Sequence, residues 1–312
     1  MIIEDSASLT FKTRDATSYD SVTGEYDRFT ERFSGPLAAR LISLAGVTSS
    51  EQILDVGTGT GIVALQAAQQ VGADGKVLGI DLSEGMLATA RAKAAAAGLS
   101  HSAEFRPMDG EALALADESF NVVVSLFALL HFPNPTVALK EMFRVLRPGG
   151  RLALGVGSGP PRLSLNGLTE GLGQLRDILL KRQGKLLTAP RFLNDLVEAR
   201  FPDTGKSEVT SLAAHGSKIP GGVPTLVRKA GFTNVHTAWQ RHRRVIATAE
   251  EFWDLQRTYS SLARKRLGSA QPEQVEEFRK EFLDTCRKVQ SKGGQLVYPF
   301  AALYVVGQRP WN

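Results

Sequence analysis

From residue 51 to residue 156 the chain alternates short apolar runs with amphipathic stretches, and this alternation constrains the fold more than any other feature. EQILDV (51–56), KVLGID (76–81), AEFRPMD (103–109), FNVVVSLF (120–127) and RLALGV (151–156) read as strands. The fourth is a continuous apolar run of the kind covered on both faces of a sheet. Between them lie three helical segments, IVALQAAQQ, SEGMLATARAKAAAA and TVALKEMFRVL. Ser83 caps the second and Gly98 stops it, while Asn134-Pro135 opens the third and Pro148-Gly149-Gly150 closes it. Strands joined by helices imply a parallel sheet with helices on both faces, an α/β doubly wound architecture.

The flanks are less regular. Residues 17–46 show helical apolar spacing with Tyr19, Tyr26, Phe29 and Phe33. After the fifth strand the rhythm breaks at a Gly/Pro-rich exit, Gly157 to Pro161. Helices are expected around Leu172–Lys181 and Arg191–Glu198, and Phe201–Gly222 has little periodicity. TLVRKAGFTNVHTAW then reads as helix, Gly turn and strand. EEFWDLQRTYSSLARKRL and PEQVEEFRKEFLDTCRKV read as two amphipathic helices, and YPFAALYVVGQ as a closing strand. The resulting division is 1–48 as an N-terminal helical cover, 49–156 as the core, and 157–222 as an insertion forming a substrate lid. Residues 223–312 complete the sheet around a helical insertion at 249–290.

Composition excludes several classes. A single cysteine, Cys286, rules out a disulfide scaffold and a Cys-rich metal site, and reads as a half-buried helix residue. The first residues lack an apolar signal core, and no run approaches the ~20 apolar residues that span a bilayer, so the expectation is a soluble, cytoplasmic protein. The net charge of +5 is spread along the chain, densest at Arg241-His242-Arg243-Arg244 and Arg264-Lys265-Arg266. Scattered cations of this kind make a solvated surface rather than a nucleic-acid stripe. Oligomeric state stays open.

The chemistry concentrates in Asp55-Val56-Gly57-Thr58-Gly59-Thr60-Gly61, between the first strand and its helix. Glycines there permit a tight turn and let backbone N–H groups approach a ligand at the positive helix end. Asp81 ends the second strand, where an acid can hold both hydroxyls of a ribose. Asp109 ends the third, where a carboxylate can accept from an adenine amino group. Ser125, Leu126 and Phe127 end the fourth, opposite the glycine turn. All four positions fall at the carboxyl ends of parallel strands, the ligand crevice of such sheets.

With ILDVGTGTG, VLGIDLSEGML, FRPMDGEAL, FNVVVSLFALLHFPNP and LKEMFRVLRPGGRL, the chain resembles the class I S-adenosylmethionine-dependent methyltransferases. The ubiquinone/menaquinone C-methyltransferase-like branch is nearest, and the likeness resumes at VRKAGF and GGQLVYPFAALYVVGQRP. The resemblance implies a Rossmann-like, seven-stranded, mostly parallel sheet whose last strand, residues 298–308, runs antiparallel, with helical cover insertions. It implies S-adenosylmethionine as cofactor, S-adenosylhomocysteine as product, and no metal. Gly57, Thr58, Gly59 and Gly61 would face the methionine part, with Asp55 supporting the turn. Asp81 would bind the ribose, Leu82 and Met86 would flank the adenine, and Asp109 would read its amino group beside Gly110 and Glu111. Tyr19 and Tyr26 match paired aromatics placed over the cofactor, and Ser125 and Leu126 close the opposite side.

His131, after the fourth strand, is the titratable residue at the reacting edge and could take a proton from an acceptor hydroxyl or an acidic carbon. A packed histidine near the Asn134 cap is the competing reading, and the branch often carries two histidines where this chain has Leu130-His131. His215, His236 and His242 are further candidates for touching substrate. No Asn-Pro-Pro-Tyr-type tetrad follows the fourth strand, no Asp/Asp/Asn cluster suggests magnesium, and no His/Cys/carboxylate grouping suggests zinc. The reading is methyl transfer to a small organic acceptor, at O or C, natural-product or quinone-like, by in-line displacement. Phe192, Phe201, Phe252, Trp253 and Tyr259 would give the acceptor site aromatic surface, with Gly157, Gly159, Gly221 and Gly222 as hinges. A non-catalytic S-adenosylmethionine-binding protein and a nicotinamide-dependent oxidoreductase are the alternatives. The latter lacks its G-x-G-x-x-G spacing. An RNA or lipid-linked acceptor would need the basic surface.

Overall fold

The computed structural model describes residues 6–157, 165–189, 191–202 and 222–311. Three helices lead in, α1 (Ser6–Asp20), α2 (Thr23–Phe33) and α3 (Gly35–Ala45). The alternating core follows as β1 (Gln52–Val56), α4 (Ile62–Val71), β2 (Lys76–Asp81), α5 (Glu84–Ala96), β3 (Ala103–Pro107), β4 (Phe120–Leu126), α6 (Pro135–Val145) and β5 (Leu146–Val156). Then come α7 (Leu165–Arg182), β6 (Leu186–Thr188), α8 (Arg191–Arg200), α9 (Gly222–Lys229) and β7 (Thr233–Ile246). The chain ends with α10 (Ala249–Tyr259), α11 (Ser261–Gly268), α12 (Pro272–Ser291) and β8 (Gln295–Gln308).

β3, β2, β1, β4 and β5 lie side by side in parallel, and β8 joins β5 antiparallel. One edge of β8 carries β7 along most of its length; the other carries β5 at residues 303–308 and β6 at 295–297. The sheet therefore has eight strands rather than the expected seven, because β6 adds three residues too short to show any period in the sequence. The last strand begins at Gln295, earlier than 298. Since β8 pairs β5 no further than Val156↔Leu303, residues 298–301 overhang the carboxyl edge of the sheet.

Strand periodicity feeds two cores. Val122 and Val124 of β4 point into a layer with Leu37, Leu41, Ala64, Ala67, Leu87 and Phe252; Val123 points the other way, among Leu139, Met142, Leu152 and Val227. Both faces are covered, as the apolar run in β4 requires. Ser83 Oγ accepts from Met86 N at 3.2 Å and Asn134 Oδ1 from Val137 N at 3.3 Å, capping α5 and α6. At the open edge, β7 continues through Arg241-His242-Arg243-Arg244, which places this basic group on a strand. Charges on an edge strand oppose edge-to-edge pairing.

Two further expectations change. The stretch 250–267, read as one helix, breaks at Ser260, which turns extended (φ −84°, ψ 106°) and caps α11 by accepting from Ala263 N at 3.1 Å. Cys286 is fully buried. Gly159, Gly221 and His215 lie outside the described residues. Among the described residues no helix is long and apolar enough to cross a membrane. Ser260 Oγ also donates to Asn194 Oδ1 at 2.6 Å, joining α11 to α8. Replacing it (Ser260→Ala) is expected to cost about 1 kcal/mol, read as a lowered urea midpoint at unchanged slope.

Candidate active site

A cavity of about 500 Å³ opens at the carboxyl ends of β1, β2 and β4, under α1 and beside the overhang of β8. Its floor is the glycine turn. Gly57 N and Thr58 N both donate to Ile80 O at 2.9 Å, tying the turn to the neighbouring strand. Gly57, Gly59 and Gly61 have φ of +72°, +55° and +83°. A Cβ on Gly57 would stand 2.2 Å from the Ala128 Cβ, so that position admits glycine for two separate reasons. Gly57 and Gly59 line the cavity; Asp55, Thr58 and Gly61 support the turn from behind.

Asp55 is buried. Its Oδ2 accepts from Thr58 Oγ1 at 2.7 Å and from Ala64 N at 3.1 Å, and its Oδ1 has no partner. Burial outweighs those hydrogen bonds and pushes the carboxyl up to about 7. Asp81 lines the cavity and accepts from Gly59 N at 2.9 Å and Ser83 N at 3.0 Å. Burial raises it too, against those bonds. Leu82, Met86, Met108 and Gly110 make an apolar slot beside it.

Asp109 and Glu111 do not line the cavity. Asp109 Oδ1 accepts from Glu111 N at 2.9 Å, while Lys12 Nζ sits 2.6 Å from Asp109 Oδ2 and 2.9 Å from a Glu111 oxygen. The carboxylate expected to read an adenine amino group is thus held by a cation from α1. Ser125 is buried with its hydroxyl unpartnered, whereas Leu126 reaches the cavity. Phe127 follows with φ +64°, a strained conformation for a bulky residue of the kind that collects at sites.

His131 ends a single 3₁₀ turn (Leu129–His131), lines the cavity, and places Nδ1 3.2 Å from Asp15 Oδ2. Tyr19 and Tyr26 also line it, edge to face at 5.8 Å. The far wall is aromatic. Tyr259 lies 5.4 Å from Tyr26, and Tyr298 stacks on Phe300 at 4.3 Å. Of the aromatics expected around an acceptor, Tyr259 alone lines this cavity. Phe192 and Phe252 pack on Phe282, Phe201 on Phe278 and Trp253 on both, with Phe252 and Trp253 inside the core and Phe192 and Phe201 against it. The apolar face of α10 turns inward, and only its last residue reaches the cavity. Tyr298 and Phe300 were missed, although their alternation in the closing strand was visible. His236 and His242 lie on β7 away from the cavity. Among the described residues no group of three His, Cys, Asp or Glu side chains could hold a metal.

The methyltransferase-domain family matches residues 53–150. Nocamycin O-methyltransferase of Saccharothrix syringae is 34% identical over 217 residues, 70% of this chain and 71% of that protein. The chain is a class I S-adenosylmethionine-dependent methyltransferase. The nicotinamide-dependent alternative falls with that membership. The ubiquinone/menaquinone biosynthesis C-methyltransferase UbiE of Pseudomonas aeruginosa is 34% identical over 178 residues, 55% of this chain and 68% of that protein. YcgJ of Bacillus subtilis shares the fold, with a TM-score of 0.51 at 19% identity, covering 88% of this chain and 97% of that one.

Two measurements check this geometry. Asp81→Ala is expected to weaken S-adenosylhomocysteine binding roughly 10- to 100-fold, the loss of one or two charge-assisted hydrogen bonds. Undiminished binding in a calorimeter would show that Asp81 does not hold the ligand. For Asp55, the unfolded chain releases its proton near 3.8 and the folded chain near 7. Between those values the folded state holds the extra proton, so its contribution to stability falls as pH rises. Asp55→Asn should flatten that decline in denaturation curves recorded from pH 4 to pH 7.

Proposed function

We propose that this enzyme transfers the methyl group of S-adenosylmethionine to a small, flat, largely apolar acceptor, natural-product or quinone-like, at oxygen or an acidic carbon. The observation that carries the reading is one cavity with two unlike ends. A bare-backbone and carboxylate end is formed by Gly57, Gly59 and Asp81; an aromatic end is formed by Tyr259, Tyr298 and Phe300. The first end fits the cofactor, because the space above Gly59 is open, a Cβ built there meeting nothing nearer than Tyr26 Cε1 at 3.8 Å, and the Asp81 oxygens keep lone pairs for hydroxyls. Gly57, Thr58, Gly59 and Gly61 would hold the methionine part on a turn supported by Asp55. Asp81 would hold the ribose, and Leu82 and Met86 would flank the base. Asp109, with Gly110 and Glu111, would read the base edge once Lys12 shares its carboxylate. Tyr19, Tyr26, Ser125 and Leu126 would complete the enclosure. The relatives support an acceptor of this kind: one is named for O-methylation of nocamycin, the other for C-methylation in quinone biosynthesis.

The cofactor supplies an activated methyl on a good leaving group. The protein's share is to align acceptor and methyl and to exclude water, which in favourable cases is worth roughly 7–11 kcal/mol. Tyr259, Tyr298 and Phe300 would stack the acceptor, and α1 would shield the reacting edge. His131 would take the proton where the acceptor has one to lose, a contribution of about 10²–10⁴-fold. No nucleic acid is involved in this reading, and a cytoplasmic setting suits an unpaired, buried Cys286.

Methyl-labelled S-adenosylmethionine is expected to label a hydroxynaphthoquinone or a polycyclic phenol, and not an aliphatic amine or RNA. Tyr298→Ala should raise the acceptor KM roughly 3- to 10-fold, as loss of an aromatic contact does, at unchanged cofactor affinity. Label entering RNA alone would overturn the reading.

A further inference from the structure

We propose that Asp15, brought by α1, is the positioning residue of His131: it fixes the Nδ1–H tautomer, leaving Nε2 as base for an acceptor hydroxyl. The inference rests on the reading above in that His131 must meet the acceptor, but its geometry stands independently.

Asp15 is 8% exposed, and each of its oxygens is committed. Oδ2 faces His131 Nδ1 at 3.2 Å; Oδ1 accepts from Lys265 Nζ at 2.6 Å and from Ser261 Oγ at 3.1 Å. Burial pushes this carboxyl upward, but the hydrogen bond from His131 and the ammonium of Lys265, 2.6 Å away, work against it and keep the group ionised. An ionised carboxylate only accepts, so Nδ1 carries the hydrogen and the neutral ring's lone pair is at Nε2. The other ionisable groups around the ring are Lys12 and Tyr19 on α1, Asp81 at the end of β2, and Arg264, whose guanidinium lies 3.9 Å over the Tyr19 ring. Lys12 is committed to Asp109 and Glu111. That leaves Asp15 as the partner of Nδ1. In the step itself the hydroxyl proton passes to Nε2 as the oxygen–methyl bond forms and the sulfur–methyl bond breaks. The sulfonium becomes a neutral thioether, and the imidazolium is held by Asp15 until it returns the proton to solvent.

Lys265 makes the test sharp. In Asp15→Asn the ammonium retains the single amide oxygen, so the amide NH₂ must face Nδ1. The ring is then forced into the Nε2–H tautomer, which cannot accept a proton. With ¹⁵N-histidine labelling, and His131→Asn to assign the signal, the wild type should show the Nδ1–H tautomer and Asp15→Asn the Nε2–H form. An Nε2–H ring in the wild type, or a tautomer that Asp15→Asn does not change, would overturn the assignment. With a hydroxynaphthoquinone as probe, kcat in Asp15→Asn should fall about 10²- to 10⁴-fold with the KM for S-adenosylmethionine within twofold. Adding Lys265→Met, which frees the amide to rotate, should restore part of it. Unchanged kcat, or parallel loss of kcat and cofactor affinity without rescue, would overturn the assignment. A wild type that methylates no hydroxylated probe would sink the acceptor reading, while the ring-nitrogen spectrum would still decide on Asp15.

Discussion

The amides of Gly57 and Thr58 share one acceptor, the carbonyl of Ile80, and this pair of bonds pulls the end of β1 against the end of β2. The turn then passes so close to Ala128, beyond β4, that no side chain fits at Gly57. Backbone hydrogen bonds fix the ends of β1 and β2, and the close packing of Ala128 sets the end of β4 against them. Asp81 can accept from Gly59 N because the turn brings that amide to it, and Leu126 and Phe127 face the turn because Ala128 packs on it. A binding surface made of peptide groups needs no rotamer to be ordered when a ligand arrives, which lowers the entropic cost of binding.

The same compactness leaves two carboxyl groups in a poor environment for charge. Burial raises both Asp55 and Asp81, and Asp55 keeps one oxygen without a partner. Such a site favours a ligand that brings positive charge and hydroxyl donors, since each relieves a group that the fold has desolvated. The aromatic end has the opposite character. Burial raises the hydroxyls of Tyr26, Tyr259 and Tyr298, so they remain neutral at any physiological pH. One cavity thus has an end that suits a cationic ligand and an uncharged aromatic end, without a domain boundary between them.

Residues 51–156 were legible because their signals are local. Ser83 and Asn134 cap helices three residues on, and the valines of β4 declare both faces of the sheet. The cover was not legible, because its determinants are pairs distant in sequence. Lys12 meets Asp109 across 97 residues, and Asp15 meets Ser261 across 246. Periodicity showed that 250–267 was helical and apolar on one face, but not that this face would turn toward α12 and carry Phe252 and Trp253 into the core. Tyr298 and Phe300 became cavity residues for a topological reason. An antiparallel last strand that starts before its partner ends must overhang the ligand edge, and whatever alternates there becomes wall.

The docking of α1 rests on ion pairs. A helix that seals a site by apolar burial gains about 25 cal/mol per Å² and opens at that full cost. On its docked face α1 instead carries Lys12 and Asp15, each nearly buried and each bound to oppositely charged partners from other elements. Its last residue, Asp20, accepts from Ser83 Oγ at 2.5 Å and from Gly85 N at 3.1 Å. Desolvating such charges consumes most of what their attraction returns, so docking by ion pairs is specific in register yet close to balance in free energy. In water the separated partners recover their hydration, which apolar surfaces do not. Docked this way, α1 sets the geometry around His131 through paired charges.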